Sequence, residues 1–488
     1  MNENKNRYAL LILFTAIFFV SCSFLIENNL GHWGGDSAKY VLIARTLATG
    51  EGSNFINALG GKVLYFYHIT VPLVLVPIVK IWGVNYIYMR WVFATMAVLS
   101  IWLIYFFIAR EDKDSGLKSA LLFGVSPMFL YYATFILSEV PYLFFSILCL
   151  LLAEKFLDER QILTVREIIF FFCSIILTLT RYIGISVIIA VFLYLIFTRK
   201  NLRKALFFLM FYLCLLYIWM QLLSTLGEYH NIFKGLFLKD PYDISKGTIG
   251  FFDLFFRWAK NFKFYLFNLS YPVLPYLRRG YILNIMFNLA IISGFVLWVR
   301  KKGLSVKEYY FISYIFLLPL WWWRDTRFVF PLGFLSCFYL VWLGRYLLKR
   351  KFYNLIFVLL MGVNIFDCIG LISWEKRVDI FTNSPQADYF QMLEWIKHHI
   401  ERSDVLIVAP KPPNVCLITG KLCTEAPYIS APWVIFNFLR SRGVEFVIID
   451  RNFPFDYKNL APVVKLYYRY FQLVKKIGDC YLYRLSYE

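Results

Sequence analysis

Charged residues are scarce in this chain. They make up 17% of its 488 residues, whereas hydrophobic residues make up 60% and aromatic residues 20%. Soluble domains carry about 25% charged and about 45–50% apolar residues, so this composition excludes an ordinary soluble domain and predicts a polytopic membrane protein. The net charge of +20 does not indicate a nucleic-acid partner, because Lys and Arg accumulate in the cytoplasmic loops of membrane proteins and near anionic headgroups.

Several signatures of cofactor and metal enzymes are also missing. The nine cysteines have no metal-ligand spacing, and those in apolar runs act as small hydrophobes. His32, His68 and His230 are too dispersed to predict a metal site. No glycine-rich phosphate loop or nucleotide-sugar signature appears. The sequence therefore predicts no cofactor and no metal ligands, although its residues are compatible with a bound divalent metal.

Eleven apolar runs are present instead, each long enough to cross a bilayer as a helix, which takes about 17 to 25 residues. They lie at 8–26, 86–109, 117–136, 140–157, 166–181, 183–198, 204–224, 281–299, 308–323, 327–345 and 353–372. The predicted fold is therefore an α-helical polytopic membrane protein with about 11 transmembrane helices.

One further apolar segment, residues 66–82, is short and contains Pro72, Pro77 and Lys80. If it does not cross the membrane, every short basic loop falls on the same side as the basic N-terminus, as the positive-inside rule requires. Those loops lie at 110–118, 155–166, 199–204, 300–307 and 345–351. We therefore predict an interfacial helix on the outer face of the plasma membrane and a cytoplasmic N-terminus.

This topology divides the chain into two predicted domains. Residues 1–372 form the transmembrane domain, with large external loops at 27–85 and 225–280, and residues 373–488 form a small extracytoplasmic α/β domain. The tail contains one amphipathic helical pattern, followed by the strand-like segments VLIVAP, VEFVIID and CYLYRLSY. Cys416 and Cys423 are close enough to pair if the compartment is oxidising.

Polar residues from distant parts of the sequence converge on the predicted outer face. They are Asp36, Glu139, Arg181, Arg324 and Arg327, and ionisable groups at membrane depth are candidates for function because burying them costs free energy. Each also has a structural interpretation. The arginines are compatible with headgroup anchors, and both acids are compatible with capping or charging a helix N-terminus.

The motifs that carry these residues resemble the glycosyltransferase C superfamily, in particular the branch with protein O-mannosyltransferases and the lipid A aminoarabinose transferase. The resemblance rests on an acid followed by an aromatic residue in the first external loop and on a Pro-containing interfacial helix. The matching segments are GGDSAKYVLIARTLATGEG, IWGVNYIYMRWVF, GVSPMFLYYATFILSEVPYLF, TRYIGIS, RDTRFVFPL and YFQMLEWIK.

The resemblance implies transfer of a sugar from a polyprenyl-phosphate carrier to an acceptor hydroxyl on a lipid, glycan or protein, with inversion. It implies Asp36 as general base and Glu139 as a second acid. Arginines that hold the leaving phosphate fit that chemistry physically. The predicted substrate-binding residues are Arg181, Arg324, Arg327, Lys62, Arg90, Tyr40 and His68.

The sequence also departs from the resembling enzymes. Ser37 follows Asp36 where the mannosyltransferases carry a paired acid, which leaves the sugar and the acceptor open. WWWRD resembles the tryptophan-rich signature of oligosaccharyltransferases, but it lies at a helix junction and lacks the following tyrosine and glycine. Two other functions compete with glycosyl transfer: a transporter or flippase of lipid-linked saccharides, and a scaffold that displays the tail as a binding module.

Overall fold

The computed structural model of the protein describes residues 2–30, 34–50, 69–156, 165–226, 237–239, 246–275, 280–376, 382–427 and 431–487. Its membrane part consists of α1 (Asn2–Ser23), α2 (Asp36–Thr49), α3 (Thr70–Trp82), α4 (Tyr86–Ala109), α5 (Lys113–Gly124), α6 (Pro127–Ala133), α7 (Glu139–Phe156), α8 (Val165–Thr180), α9 (Ile185–Leu193), α10 (Leu202–Leu226), α11 (Phe251–Leu266), α12 (Tyr281–Lys302), α13 (Val306–Leu317), α14 (Gly333–Leu347) and α15 (Arg350–Glu375). Short 3-10 helices lie at Tyr182–Gly184, Leu318–Leu320 and Thr326–Leu332, and a π-helical turn lies at Tyr194–Thr198.

Among the described residues, six helices are long and apolar enough to cross a membrane. They are Asn4–Ser23, Tyr86–Ala109, Leu202–Gln221, Tyr281–Lys302, Thr326–Leu347 and Arg350–Glu375. At 1.5 Å per residue, the 24 residues of α4 extend about 36 Å, which exceeds the thickness of a bilayer's hydrocarbon core. The protein is a helical membrane protein, and the count of eleven spans stays a prediction.

One predicted span is wrong as a single helix. Residues 117–136 fall on two helices, because α5 ends at Gly124 and α6 begins at Pro127. A proline lacks the N–H that would continue the helical hydrogen bonds, and its ring fits best in a first turn. The break turns the chain before it reaches Glu139.

Several loops predicted to be cytoplasmic meet in one polar group, which we call the Lys307 cluster: Arg110, Glu111, Asp112, Glu154, Lys307, Glu308 and Arg345. Lys307 at the start of α13 is ion-paired with Glu111 and lies 3.3 Å from Glu308. Arg110 at the end of α4 lies 3.2 Å from Glu154 near the end of α7, and Arg345 near the end of α14 is ion-paired with Asp112. The ends of α4, α7 and α14 therefore lie on the same side of the bundle as the start of α13, which is the alternation that the charge pattern predicts.

Aromatic packing fixes the Thr326–Leu332 helix against the broken α5–α6 pair. The ring centroids of Phe123 and Phe330 lie 5.6 Å apart, and those of Tyr132 and Phe330 lie 4.9 Å apart. Phe123 also packs on Phe129 in α6, at 4.9 Å. Tilted and edge-on ring pairs at these distances are favourable. The short helix that carries Arg327 is therefore held in place by aromatic packing.

The tail consists of helices around a five-stranded sheet. Its elements are α16 (Ala387–His399), β1 (Leu406–Val408), α17 (Pro412–Thr419), β2 (Leu422–Thr424), α18 (Pro432–Ser441), β3 (Phe446–Asp450), α19 (Pro454–Leu466), β4 (Phe471–Ile477) and β5 (Cys480–Leu485). The strand order is β2-β1-β3-β5-β4. β1 pairs parallel with β2 and β3, whereas β5 pairs antiparallel with β3 and β4.

The three strand-like segments of the sequence contain β1, β3 and β5, and the amphipathic pattern contains α16. The structure joins Cys416 and Cys423 in a disulfide between α17 and β2, with their Cα atoms 6.0 Å apart. Leu42 of α2 is part of the same apolar cluster as Tyr389 and Val415 of the tail. The tail therefore packs directly on the helix that begins with Asp36.

Candidate functional site

Asp36 is the first residue of α2. Gly35 before it has a φ of 88°, a left-handed conformation that residues with a side chain rarely adopt. Gly35 occupies the N-cap position without a side-chain cap, so Asp36 is not the N-cap that the sequence allowed. It lies in the first turn, where a negative charge interacts favourably with the helix dipole.

Two contacts fasten the start of α2 to the residues before Glu139. The Ser37 hydroxyl, which is buried, donates to the carbonyl oxygen of Ile136 at 3.0 Å. The Tyr40 phenol lies near the Ser138 side chain. Ser37 thus has a structural contact at the position where the mannosyltransferases carry a second acid, and the two acid-bearing helices are held side by side.

Glu139 begins α7 and its side chain is only 2% exposed. Its Oε1 accepts a hydrogen bond from Arg181 Nη1 at 2.8 Å and lies 4.0 Å from Arg327 Nε. A buried carboxylate is costly unless it is paired with a positive charge, and the two arginines supply that charge.

Arg327 links Glu139 to two more acids. Its Nη1 lies 3.4 Å from Asp36 Oδ2, and its Nε lies 3.4 Å from Asp325 Oδ2. Asp325 also caps the Thr326–Leu332 helix, because its Oδ1 accepts from the backbone N–H of Arg327 at 2.9 Å. Both Arg181 and Arg327 lie against the Phe328 ring, with guanidinium carbons 5.0 and 5.1 Å from its centroid.

We call Asp36, Glu139, Arg181, Asp325 and Arg327 the Asp36 cluster. Exposure falls steadily through it: the side chain is 45% exposed for Asp36, 25% for Arg327 and 2% for Glu139. Asp36 is therefore the most exposed carboxylate of the cluster, Asp325 is 37% exposed but caps the Thr326–Leu332 helix, and Glu139 lies behind the arginines. Glu139 is much less accessible than Asp36, and its role as a second acid stays a prediction.

Tyr40 lies beside this cluster and is buried. Burial, reinforced by the negative charges of Asp36 and Glu139, raises the pKa of Tyr40 above its usual range. The phenol is therefore neutral at physiological pH and is able to donate a hydrogen bond.

The other predicted residues have different positions. Arg324 is exposed, and its guanidinium carbon lies 6.0 Å from the Phe264 ring centroid. This places Arg324 beside α11, and its action together with Arg327 on a phosphate stays a prediction. Lys62 and His68 lie outside the described residues.

Arg90 contacts other parts of the chain, and its assignment to substrate binding stays a prediction. Its side chain is buried, and its Nε and Nη2 donate to the carbonyl oxygens of Thr134 at 2.5 Å and Leu25 at 2.6 Å. Nη1 donates to Asn29 Oδ1 at 2.9 Å and to the Glu27 carbonyl at 3.2 Å. All three guanidinium nitrogens therefore link the segment that follows α1 to Thr134 at the end of α6.

We expect Arg90→Met to destabilise the protein without a selective effect on donor affinity. It leaves two buried carbonyls without their donors, and such groups cost about 1–3 kcal/mol each. Thermal unfolding in detergent, followed by intrinsic fluorescence, measures the loss. Arg110→Met is the matched control, because its partly exposed pair with Glu154 is worth about 0–1 kcal/mol. An unchanged midpoint for Arg90→Met would remove the structural assignment.

The tail contributes a contact that the sequence did not predict. The Lys411 side chain lies over Gly35, where an added Cβ would stand 3.4 Å from Lys411 Cδ. Lys39 interacts electrostatically with Asp36 and with Glu425 of the tail, and burial lowers the pKa of Lys39 despite both acids. Lys411 and Gly35 are too far apart in the sequence for a local pattern to predict this contact. No role was predicted for Asp325, although its place two residues before Arg327 is typical of a cap.

Metal binding is not indicated within the described ranges, where no group of three or more His, Cys, Asp or Glu side chains is arranged to hold an ion. The arginines that neutralise the acids of the Asp36 cluster instead suit an anionic ligand such as a phosphate, whose oxygens match the planar guanidinium group.

Comparisons with known proteins place this geometry in context. Residues 69–223 match the family model described as dolichyl-phosphate-mannose-protein mannosyltransferase. A search of curated protein sequences finds no match.

Solved structures share the architecture of the whole chain. ArnT from Cupriavidus metallidurans bound to undecaprenyl phosphate is 14% identical, with a TM-score of 0.53 and 98% of each chain covered. The Archaeoglobus fulgidus oligosaccharyltransferase in complex with Zn and sulfate is 14% identical, with a TM-score of 0.58, and covers 90% of this chain and 68% of its own. AglB from the same organism, in complex with an inhibitory peptide and a dolichol-phosphate, is 13% identical, with a TM-score of 0.54. The match covers 98% of this chain and 74% of the AglB chain. At these identities the likeness shows a common fold.

Proposed function

Since the chain has the fold of the glycosyltransferase C superfamily, as its motifs predicted, we propose that it is an integral-membrane glycosyltransferase. It moves a sugar from a polyprenyl-phosphate carrier to an acceptor hydroxyl. The observation that carries the proposal is the Asp36 cluster, in which an accessible carboxylate lies 3.4 Å from a guanidinium that is also close to a buried acid. Asp36, which is able to accept a proton from a hydroxyl, thus lies next to Arg327, which is able to bind a phosphate.

Asp36 acts as the general base. It accepts the proton of the acceptor hydroxyl while that oxygen attacks the anomeric carbon of the donor. The bond between the anomeric carbon and the phosphate oxygen breaks, and its electron pair leaves with the phosphate. Attack from the face opposite the phosphate inverts the anomeric carbon. The accessible position of Asp36 at the start of α2 supports this role.

Arg327 holds the phosphate of the donor and stabilises the negative charge that grows as the carrier leaves. In the structure its Nη1 is engaged by Asp36, so the phosphate competes with Asp36 for the guanidinium. Donor binding thereby releases Asp36 to meet the acceptor. Two solved structures of similar fold, ArnT and AglB, are complexes with undecaprenyl phosphate and a dolichol-phosphate, which supports a lipid phosphate as the ligand.

Glu139 and Tyr40 position the reacting groups. Glu139 fixes Arg181 through the 2.8 Å hydrogen bond and limits the movement of Arg327. Tyr40 offers a neutral phenol one helical turn from Asp36. Arg181 adds positive charge from the inner side of the cluster.

The reaction takes place on the extracytoplasmic face of the plasma membrane, and the tail at 373–488 lies on that side. This orientation rests on the charge rule and on the Lys307 cluster, which gathers predicted cytoplasmic loops. The acceptor is a lipid, glycan or protein hydroxyl, and the sugar is a hexose or pentose. No resident cofactor enters the proposed steps.

Reconstitution tests the proposal. The purified protein in liposomes is incubated with a panel of undecaprenyl-phosphate hexoses and pentoses, each radiolabelled in the sugar, together with a lipid and glycan extract of cell envelopes. We expect label to become covalently attached to an acceptor from one donor class. Label that crosses the bilayer while still joined to its carrier, with every donor failing to transfer, would instead establish the transporter.

A further inference from the structure

Helix α11 (Phe251–Leu266) lies in the second large external loop and has no part in the proposed chemistry. Its sequence, FFDLFFRWAKNFKFYL, combines many aromatic residues with basic ones. At 3.6 residues per turn, these side chains separate into three faces. One face contacts the protein, one is apolar and exposed, and one is polar.

The protein-facing side donates hydrogen bonds to backbone carbonyls at the end of α13 and just after it. Trp258 Nε1 donates to the Phe316 carbonyl at 2.9 Å, and Asn261 Nδ2 donates to the carbonyls of Pro319 at 3.0 Å and Trp321 at 2.7 Å. A proline at the end of a helix interrupts the hydrogen-bond pattern there. α11 thus satisfies the broken end of α13.

A fourth contact extends this attachment toward the Asp36 cluster. The Tyr265 hydroxyl donates to the Trp323 carbonyl at 3.0 Å, and Trp323 lies four residues before Arg327. Together the four hydrogen bonds follow the backbone from 316 to 323. α11 therefore fixes the segment that leads directly into the arginine of the site.

The apolar face carries four phenylalanines at i, i+1, i+4 and i+5, which places them on one side of the helix. They are Phe251, Phe252, Phe255 and Phe256, and they are 56–80% exposed. The polar face carries Asp253 and Lys260, both exposed. Contiguous exposed apolar patches of this kind mark an interaction surface.

The surroundings of this face indicate lipid. Phe316, at the end of α13, is itself 52% exposed and packs on Trp258 and Phe262 with ring centroids 5.7 and 5.4 Å apart. The candidate span Tyr281–Lys302 begins with exposed Tyr281 and Ile282. The phenylalanine face continues from Phe255 to Trp258, with ring centroids 6.4 Å apart, and from Trp258 to the exposed Phe316. Such a run of aromatic residues with basic edges is typical of a bilayer interface.

We propose that α11 is an interfacial membrane helix whose phenylalanine face inserts among the acyl chains of the outer leaflet, and that it thereby holds the 316–323 segment at the membrane surface. The partner is the lipid bilayer itself. This inference rests on the proposed orientation only for the choice of leaflet. The insertion is independent of sugar transfer, so its test does not depend on the proposed function.

Spin-label accessibility tests the insertion in the full chain reconstituted into phosphatidylethanolamine–phosphatidylglycerol vesicles. The background carries Cys214→Ser and Cys368→Ser, because these free cysteines are not fully buried. Labels are introduced separately by Phe252→Cys and Phe256→Cys on the apolar face, and by Asp253→Cys and Lys260→Cys on the polar face. Power saturation compares collisions with oxygen, which concentrates in lipid, and with a water-soluble nickel chelate.

We expect the labels at 252 and 256 to be at least about fivefold more accessible to oxygen than to nickel, and those at 253 and 260 to show the opposite order, because the two faces meet lipid and water respectively. Equal nickel accessibility at 252 and 253 would overturn the insertion. Labels at 252 and 256 that are shielded from both reagents would also overturn it, since a protein would then cover the face. Two positions on each face guard against a single variant that fails to fold.

Discussion

Replacing Asp36 by asparagine is expected to lower the transfer rate by about 100- to 10,000-fold, the range that a general base contributes. Asparagine keeps the shape of the side chain but cannot accept the acceptor's proton. Because Asp36 also occupies Arg327 Nη1 in the structure, its loss leaves the guanidinium more available to a phosphate. Donor affinity should therefore be unchanged or higher while kcat falls.

Initial rates with a saturating labelled donor measure kcat, and equilibrium binding of undecaprenyl phosphate measures affinity. Asp253→Asn is the matched control, because that carboxylate is exposed on the polar face of α11. It should transfer at the wild-type rate. A variant Asp36→Asn that keeps its kcat but binds the lipid phosphate much more weakly would show that Asp36 belongs to donor binding and is not the base.

The second large effect is expected at Arg327. Replacement by glutamine should cost about 100- to 1,000-fold in kcat, the typical loss when a group that stabilises developing charge is removed. It should also weaken binding of the lipid phosphate. The fold should survive, because Arg181 still neutralises Glu139 at 2.8 Å.

The comparison of two further variants sharpens this prediction. Arg327→Lys should recover only part of the loss, since an ammonium cannot bind phosphate with the two parallel hydrogen bonds of a guanidinium. Arg300→Gln, at an exposed position near the end of α12, should have little effect on transfer. Equal activity of Arg327→Gln and Arg300→Gln would remove Arg327 from the site.

The grouping of polar residues could be predicted from the sequence because a membrane restricts where each loop lies. Once the basic loops are assigned to one side, alternating helices bring Asp36, Glu139, Arg181 and Arg327 to the other. The structure does bring these four together. It also brings the ends of α4, α7 and α14 and the start of α13 together at the Lys307 cluster.

Finer features could not be predicted in this way. The role of Arg90 depends on carbonyls from residues 25 to 29 and 134, and no local pattern reports such contacts. The rank of the two acids depends on burial, which separates the accessible Asp36 from the buried Glu139. The contact of Lys411 with Gly35 joins parts of the chain more than 370 residues apart, and hydrophobic periodicity carries no information about it.

The tail and α11 constrain the site from two directions. Lys411 and Leu42 connect the tail to α2, which carries the base. α11 donates hydrogen bonds to the carbonyls of Trp321 and Trp323. These residues lie just before Arg327, the proposed phosphate-binding cation. The base and the cation, which lie 3.4 Å apart in the structure, are thus each carried by a segment that one of these two elements contacts.

The most direct test of the central claim is the fate of the carrier phosphate. Wild-type protein and Asp36→Asn are compared in the same vesicles with a donor labelled in both sugar and phosphate, with and without the acceptor extract. For the wild type we expect one polyprenyl phosphate released for each sugar transferred, only with acceptor present, and almost none for Asp36→Asn. Sugar and phosphate that remain joined in the wild type, whatever acceptor is added, would contradict the account.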